Sequence, residues 1–176
     1  MDGFVKMVAI RSTELVRRGC EIQKTTPNAT AAFGRCLTAA SMMGNMQKVE
    51  NGSMTLQIRG GGPIGTITVV SDYEGNVRGC VTEPNVPLME KYPGKLNVGA
   101  TVGVDGTITV IRDLQMKEPY IGSVQLVSGE IGDDVTLFCR VRADTHRLRP
   151  GRAGGYGLLC EGGRRLFDPI AARRAG

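Results

Sequence analysis

This sequence predicts an α+β fold in which one buried helix lies against a mainly antiparallel sheet. Three observations carry that expectation. Residues 27–48 are apolar on almost every side of a helix, and residues 54–127 alternate apolar and polar positions between turn signals. The chain then changes character near Phe138. Residues 1–138 carry 13 basic and 14 acidic side chains, net −1, whereas residues 139–176 carry 9 Arg, no Lys and 3 acids, net +6. The formal charge of +5 therefore belongs to the last stretch alone. The division expected is one domain over 1–138 and an Arg/Gly-rich tail over 139–176.

Ser12 or Thr13 is placed to cap a first helix running to about Lys24, with Glu14 near its start. Leu15, Val16 and Ile22 are its apolar positions, and Gly19 weakens it. Pro27 after Thr26 opens a second helix, running to about Lys48. Ala29, Ala32, Phe33, Cys36, Leu37, Ala40 and Met43 leave it almost no polar face, so it is buried between other elements. Met42, Met43 and Met46 pack in the core at its end.

Strands follow at Met54–Arg59 and Ile64–Asp72, flanking Gly60-Gly61-Gly62-Pro63. Tyr73-Glu74-Gly75-Asn76 turns the chain into Val77–Thr82, which makes an antiparallel meander. Residues 83–100, with Pro84, Pro87, Pro93, Gly94 and Gly99, form an irregular excursion. Asp105-Gly106 leads into a strand over Thr107–Leu114, and Ile121–Val127 is another. Ser128–Asp134 is a loop entering a helix, with Asp133 and Asp134 at its positive end. From Cys139 onward no apolar period is sustained.

The core must be built from Val, Ile, Leu, Ala and Met, because aromatics are 5% of the chain and Trp is absent. No apolar run reaches the ~18 residues of a membrane span. The longest low-charge stretch, Pro27 to Met46, is broken by Arg35, and a soluble protein is expected.

Little here reads as catalysis. The single histidine, His146, lies in the tail, so residues 1–138 lack the usual general base and the commonest metal ligand. Gly60–Gly62 lacks the Gly-Lys-Ser/Thr ending of a phosphate loop and reads as a turn. Asp133 and Asp134 have no third ligand at metal spacing. The five cysteines, Cys20, Cys36, Cys80, Cys139 and Cys160, contain neither CxC nor CxxC and read as reduced thiols of a cytosolic protein. No catalytic, metal or redox-switch residue is assigned, and the chain is read as a non-enzyme. Arg140, Arg142, Arg147, Arg149 and Arg152 supply the alternative, a nucleic-acid binder acting through residues 139–176. Tyr156 and Phe167 stand alone there, without the interleaved aromatics of a binding module.

Eight segments in order carry more information than any motif. They are Arg11-Ser12-Thr13-Glu14-Leu15-Val16, Ala31–Gly44, Gly61-Gly62-Pro63-Ile64-Gly65, Gly75-Asn76-Val77-Arg78-Gly79, Gly94-Lys95-Leu96, Thr109–Leu114, Lys117–Gly122 and Val127–Asp134. Together they resemble the redox-regulated 33 kDa chaperonin family, bacterial heat-shock holdases. The resemblance implies an ATP-independent, cytoplasmic, dimeric chaperone of the stress response that binds unfolded client proteins. It also implies a C-terminal zinc domain whose four cysteines, CxC then CxxC, release the metal on oxidation.

The chain departs from that pattern at both ends. A strand that the family usually has before the equivalent of Phe4 is expected to be missing. The four-cysteine domain does not follow Phe138, so no cofactor is expected and no zinc or redox role passes to any cysteine. The tail itself has a candidate origin. Suitable codons for Cys139–Asp144, read one nucleotide later, give Ala-Val-Ser-Glu-Gln-Thr. The same frame permits Gly-Val-Leu-Val opposite Gly151–Gly154, and the family continues in this way. A frameshifted, poorly ordered tail is therefore expected.

Overall fold

The computed structural model describes residues 6–47, 49–142, 148–153 and 156–161. Strand β1 (Lys6–Arg11) leads into helix α1 (Thr13–Gln23) and helix α2 (Pro27–Asn45). Ser12 stands at the N-cap of α1, but its hydroxyl accepts from Thr38 Oγ1 at 2.8 Å instead of capping. Gly19 has a positive reason to be small. A Cβ there would lie 2.8 Å from Leu37 Cδ1, and one on Gly34 2.7 Å from Val16 Cγ1. The two helices thus approach closely at both glycines, and this offsets the roughly 1 kcal/mol that glycine costs a helix. Ile22, expected to face the core, is 61% exposed on the last turn, next to the reversal at Lys24.

Helix α2 is the central element. Thirteen of its residues are buried, among them every apolar position named from the sequence. It ends at Asn45, short of the expected Lys48. Gly44 brings it onto the sheet, since a Cβ there would meet Ser71 Oγ at 2.0 Å. Met42 and Met43 lie in the core, as expected.

Strands β2 (Ser53–Arg59), β3 (Thr66–Asp72) and β4 (Val77–Val81) form the expected meander. β3 starts two residues late, because Ile64 and Gly65 stay in the loop. Ile64 donates its N–H to Thr101 O, and Gly65 (φ +71°) donates to Gly62 O. Strand β7 (Thr107–Asp113) returns to the other side of β2, and β8 (Tyr120–Gln125) follows it. The antiparallel sheet has the order β4-β3-β2-β7-β8. Its inner face buries Met54, Leu56, Ile58, Ile67, Val69, Ile108 and Val110 under α2 and helix α4 (Gly132–Arg142).

The excursion is less irregular than its prolines imply. It holds a two-stranded ribbon, β5 (Glu90–Tyr92) with β6 (Lys95–Leu96), and helix α3 (Val98–Val102). One fully buried side chain fixes it. Asn28 Nδ2 donates to Met89 O at 2.9 Å and to Thr101 Oγ1 at 3.0 Å, while its Oδ1 accepts from Met89 N at 3.2 Å. Thr26 Oγ1 donates to Val86 O at 2.8 Å. Asn28→Ala strands buried backbone groups and is expected to cost about 2–3 kcal/mol. Urea unfolding checks this as a lower midpoint at unchanged slope.

Two differences concern the ends of the chain. The boundary read at Phe138 falls inside α4, which continues to Arg142. Beyond it, β9 (Leu148–Ala153) and β10 (Tyr156–Glu161) pair with each other, and β10 pairs with β1 in a second sheet. Regular structure was not expected in the tail or before Ser12. These strands are tied by backbone bonds to remote partners, which need no apolar period of their own.

Candidate functional site

Helices cover one face of the five-stranded sheet, and among the described residues none covers the other. Register defines the rows of that outer face. Arg78, Val70, Thr55, Ile111 and Ile121 stand side by side across the five strands. Next to them run Cys80, Thr68, Gln57, Thr109 and Ser123, then Thr66, Arg59, Thr107 and Gln125. The interior positions of these rows are half-buried, and Ile121 is 60% exposed. Gln57 Nε2 donates to Thr68 Oγ1, and Thr109 and Ser123 share a hydroxyl bond at 3.0 Å. Charge enters these rows only through Arg78 and Arg59, and the remaining row of this face, Asp72, Ser53 and Asp113, adds two carboxylates at its border. The middle of the face therefore offers methyl groups and neutral hydrogen-bonding groups together, suited to mixed apolar and polar chain.

Among the exposed large apolar residues, Met116, Tyr120, Ile121 and Val127 lie on β8 or within a few residues of it. Ile121 stands on the outer face, whereas Tyr120 pairs with Arg112 on the side that the helices cover. Behind β8 the core is firm. Phe138 of α4 is buried against Gly122, where a Cβ would lie 3.2 Å from the ring. Asp134, fully buried in the first turn of α4, fastens the loop after β8. Its Oδ1 accepts from the backbone N–H of Val127 at 2.7 Å and of Ser128 at 3.1 Å. Asp133 and Asp134 thus sit at the helix start, as expected, and Asp134 serves as a buried clasp. Arg35 of α2 reaches Glu130 Oε2 at 2.7 Å and closes the loop from the other side.

At the far end of β2 the fold is joined by backbone alone. Gly62 donates its N–H to Val102 O at 2.9 Å, and Asp105 donates to Gly60 O at 3.0 Å. This confirms Gly60–Gly62 as a turn. It also shows what the glycines do: they let two loops touch with no side chain between them.

The zinc implied by the resemblance finds no fitting set here. Cys36 and Cys139 are buried on α2 and α4, Cys80 is exposed on β4, Cys20 is half-buried on α1, and all four are free thiols. Among the described residues no three His, Cys, Asp or Glu converge. Zinc takes thiolates, whereas burial pushes the Cys36 thiol far up and the Cys139 thiol up to about 11. Cys160 lies on β10, and His146 and Phe167 fall outside the described residues. Of the arginines, Arg140 is exposed on α4, Arg142 ends that helix, Arg149 and Arg152 lie on β9, and Arg147 is outside the described residues.

These thiols give a direct check. Cys80 is expected to react readily with iodoacetamide in the folded chain, and Cys36 and Cys139 only on unfolding, as read by peptide mass spectrometry. Both buried thiols hold their protons longer when folded. Their contribution is complete below the ordinary thiol value of 9.0 and is lost as pH rises above it. For Cys139 the loss is about 1.4 kcal/mol per pH unit up to its folded value of about 11. Denaturation midpoints between these limits should fall less steeply in Cys139→Ala.

The edge position of β8 was not foreseen in the sequence. Its one signal is the absence of any charged residue from Pro119 to Gly129.

Comparison with known proteins agrees with this architecture. The family model described as Hsp33 protein matches residues 1–141. The chain is 52% identical over 137 residues to a 33 kDa chaperonin of Alkaliphilus metalliredigens, covering 78% of this chain and 47% of that protein. It is 45% identical over 160 residues to a 33 kDa chaperonin of Clostridium tetani, covering 91% and 53%. A crystal structure of the 33 kDa chaperonin (heat shock protein 33 homolog) from Thermotoga maritima superposes with a TM-score of 0.81 at 30% identity, covering 92% of this chain and 58% of that one. The chain thus spans about half the length of the relatives it matches. With its fold, its segments and the 1–141 match in agreement, this chain belongs to the Hsp33 protein family.

Proposed function

We propose that this chain is an ATP-independent chaperone domain that holds unfolded proteins and keeps them from aggregating. The observation that carries the reading is the outer sheet face, uncharged across its middle and bordered by exposed Ile121. An unfolding protein exposes apolar side chains and unpaired backbone together, and this face presents groups suited to both. Membership in the Hsp33 protein family supports the same reading. It works in the cytoplasm, as a homodimer, without catalysis. It needs no bound zinc, and its hold on clients is not gated by oxidation.

An aggregation assay with a thermally unfolding client, without ATP, tests this. The purified chain is expected to suppress light scattering near stoichiometric ratio, equally with and without peroxide. No suppression overturns the chaperone reading, and protection that appears only with peroxide overturns the claim of an ungated chain.

A further inference from the structure

The chain has six asparagines, and only Asn51 is followed by glycine. That pair has a chemistry of its own. The backbone nitrogen of Gly52, once it has given its proton to hydroxide, attacks the side-chain carbonyl carbon of Asn51. A cyclic imide forms as the carboxamide C–N bond breaks and ammonia leaves. Water then adds to one of the two imide carbonyls. Addition at the side-chain carbon gives aspartate, and addition at the main-chain carbon gives isoaspartate, in which the chain runs through the side chain. The reaction consumes water and no oxidant. Glycine leaves the attacking nitrogen unshielded, whereas Asn76, Asn85 and Asn97 are each followed by a stiff, β-branched valine.

The structure separates Asn51 from the others a second time. Asn28 is buried, and its carboxamide is bound to Met89 and Thr101. Asn76 Nδ2 donates to Asp72 and Glu74, and Asn97 Oδ1 accepts from Ala100 N at the start of α3. Asn45 is held in the last turn of α2. Asn51 is exposed, and among the described residues no hydrogen bond engages its carboxamide. It sits at φ +62°, left-handed backbone that asparagine tolerates.

Gly52 is buried, and its N–H donates to Val49 O at 3.1 Å, so the turn must open before it reacts. Little opposes that opening. Glu50 and Asn51 are exposed, and beyond the Gly52 bond the turn is tied by Gln115 Nε2 donating to Asn51 O at 3.2 Å. Beside Gly52, the buried Nε2 and Oε1 atoms of Gln47 have no hydrogen-bond partner among the described residues. A junction this poorly satisfied opens locally, without the sheet unfolding.

The product cannot close the turn again. A Cβ on Gly52 would lie 3.0 Å from Val49 O, 3.1 Å from Asp113 O and 3.3 Å from Gln47 Oε1. That fit has no room for the extra methylene that isoaspartate puts into the main chain just before it. The new carboxylate also enters an acidic corner. Asp72 and Asp113 flank Ser53, the next residue, and Glu74 above all, then Glu50 and Asp72, raise the Tyr73 hydroxyl above its ordinary value.

We propose that Asn51 is a self-modification site: at local openings of the Val49–Gly52 turn it converts to isoaspartate, which bars the turn from closing and loosens the start of β2. This chemistry is independent of the chaperone reading.

The test keeps the full chain folded in warm, mildly alkaline buffer and samples it over days. Peptide mass spectrometry reads the conversion of amide to acid. Labelling by an isoaspartyl carboxyl methyltransferase with S-adenosylmethionine reads the linkage. Asn51 is expected to convert at least about tenfold faster than any other asparagine, with the methyl label appearing alongside. Urea well below the unfolding transition should change this rate by less than about twofold, because local opening exposes little surface. Asn51→Gly accepts the left-handed backbone and removes the carboxamide, so its residue 51 takes no label.

Amide exchange at Ser53 and Met54 is expected to be at least about tenfold faster in the aged parent than in the fresh one. Fresh Asn51→Asp carries the charge without the extra methylene, and its exchange should stay within about threefold of the fresh parent's. Conversion at Asn51 that is absent, or no faster than at the other asparagines, overturns the proposal. A rate that climbs steeply in urea assigns the reaction to the unfolded chain and overturns it too. Unchanged exchange at the start of β2 after full conversion overturns the claim that isoaspartate bars closure.

Discussion

Gly60→Ala is expected to destabilise the protein by about 3 kcal/mol or more, the high end for overpacking. A Cβ on Gly60 would lie 2.3 Å from Val102 O and 2.5 Å from Gly103 O. Both obstacles are backbone, so no side chain can rotate to make room. Gly103 opposes it from the other loop, at φ +81°, where its own Cβ would lie 2.1 Å from Gly60 O. Relief requires the loops to separate, which breaks the bonds from Gly62 to Val102 and from Asp105 to Gly60. The control is Gly94→Ala. Gly94 sits at φ +80° with nothing within 4 Å of a Cβ, so it carries only left-handed strain, about 1 kcal/mol. Urea unfolding of both variants separates lack of space from strain. Equal losses would contradict the backbone-junction account.

Phe138→Ala is expected to cost about 3–5 kcal/mol, as for other buried aromatics. The ring is 2% exposed and fills the space that Gly122 leaves on the inner side of β8. Its loss opens a cavity between α4 and the edge strand, and the rigid Asp134 clasp limits collapse. Phe138→Leu keeps most of the volume and should lose much less. Thermal unfolding of the pair reports the difference. Amide exchange in Tyr120–Gln125 should rise in the alanine variant ahead of the sheet centre. A uniform change across the sheet would mean that α4 and β8 are not one unit.

Local features of the fold were legible, and its remote pairings were not. α2 declares itself because residues apolar on nearly all sides of a helix must be buried. The β2-β3-β4 meander follows from alternation and the Tyr73–Asn76 turn, where Asp72 accepts backbone bonds from Glu74 and Asn76. By contrast, nothing in Thr107–Asp113 says that it lies beside β2, or in Lys6–Arg11 that it meets Tyr156–Glu161. The buried Asn28 was equally silent, because its partners, Met89 and Thr101, lie in a remote excursion; Asp134 was legible at a helix start but not as a buried clasp on Val127 and Ser128. Of the candidate surface, the sequence showed alternating strands but not which face stays open. That choice is made by α2 and α4, which both pack on the Met54, Leu56 and Ile58 side.

The position of β2 between β3 and β7 also orders events in time. Its pairing with β3 closes across a short loop, whereas Arg59 meets Thr107 only after the whole proline-bearing excursion has been placed. The entropy of closing that long loop falls on the second step. The α2 meander can therefore assemble as an early nucleus, with β7, β8 and α4 docking late. On a ribosome, the half that forms first is also the half that emerges first. For a newly made chain, the edge of β2 remains open until β7 arrives, so this domain passes through the same exposed-strand state that it is proposed to recognise in others.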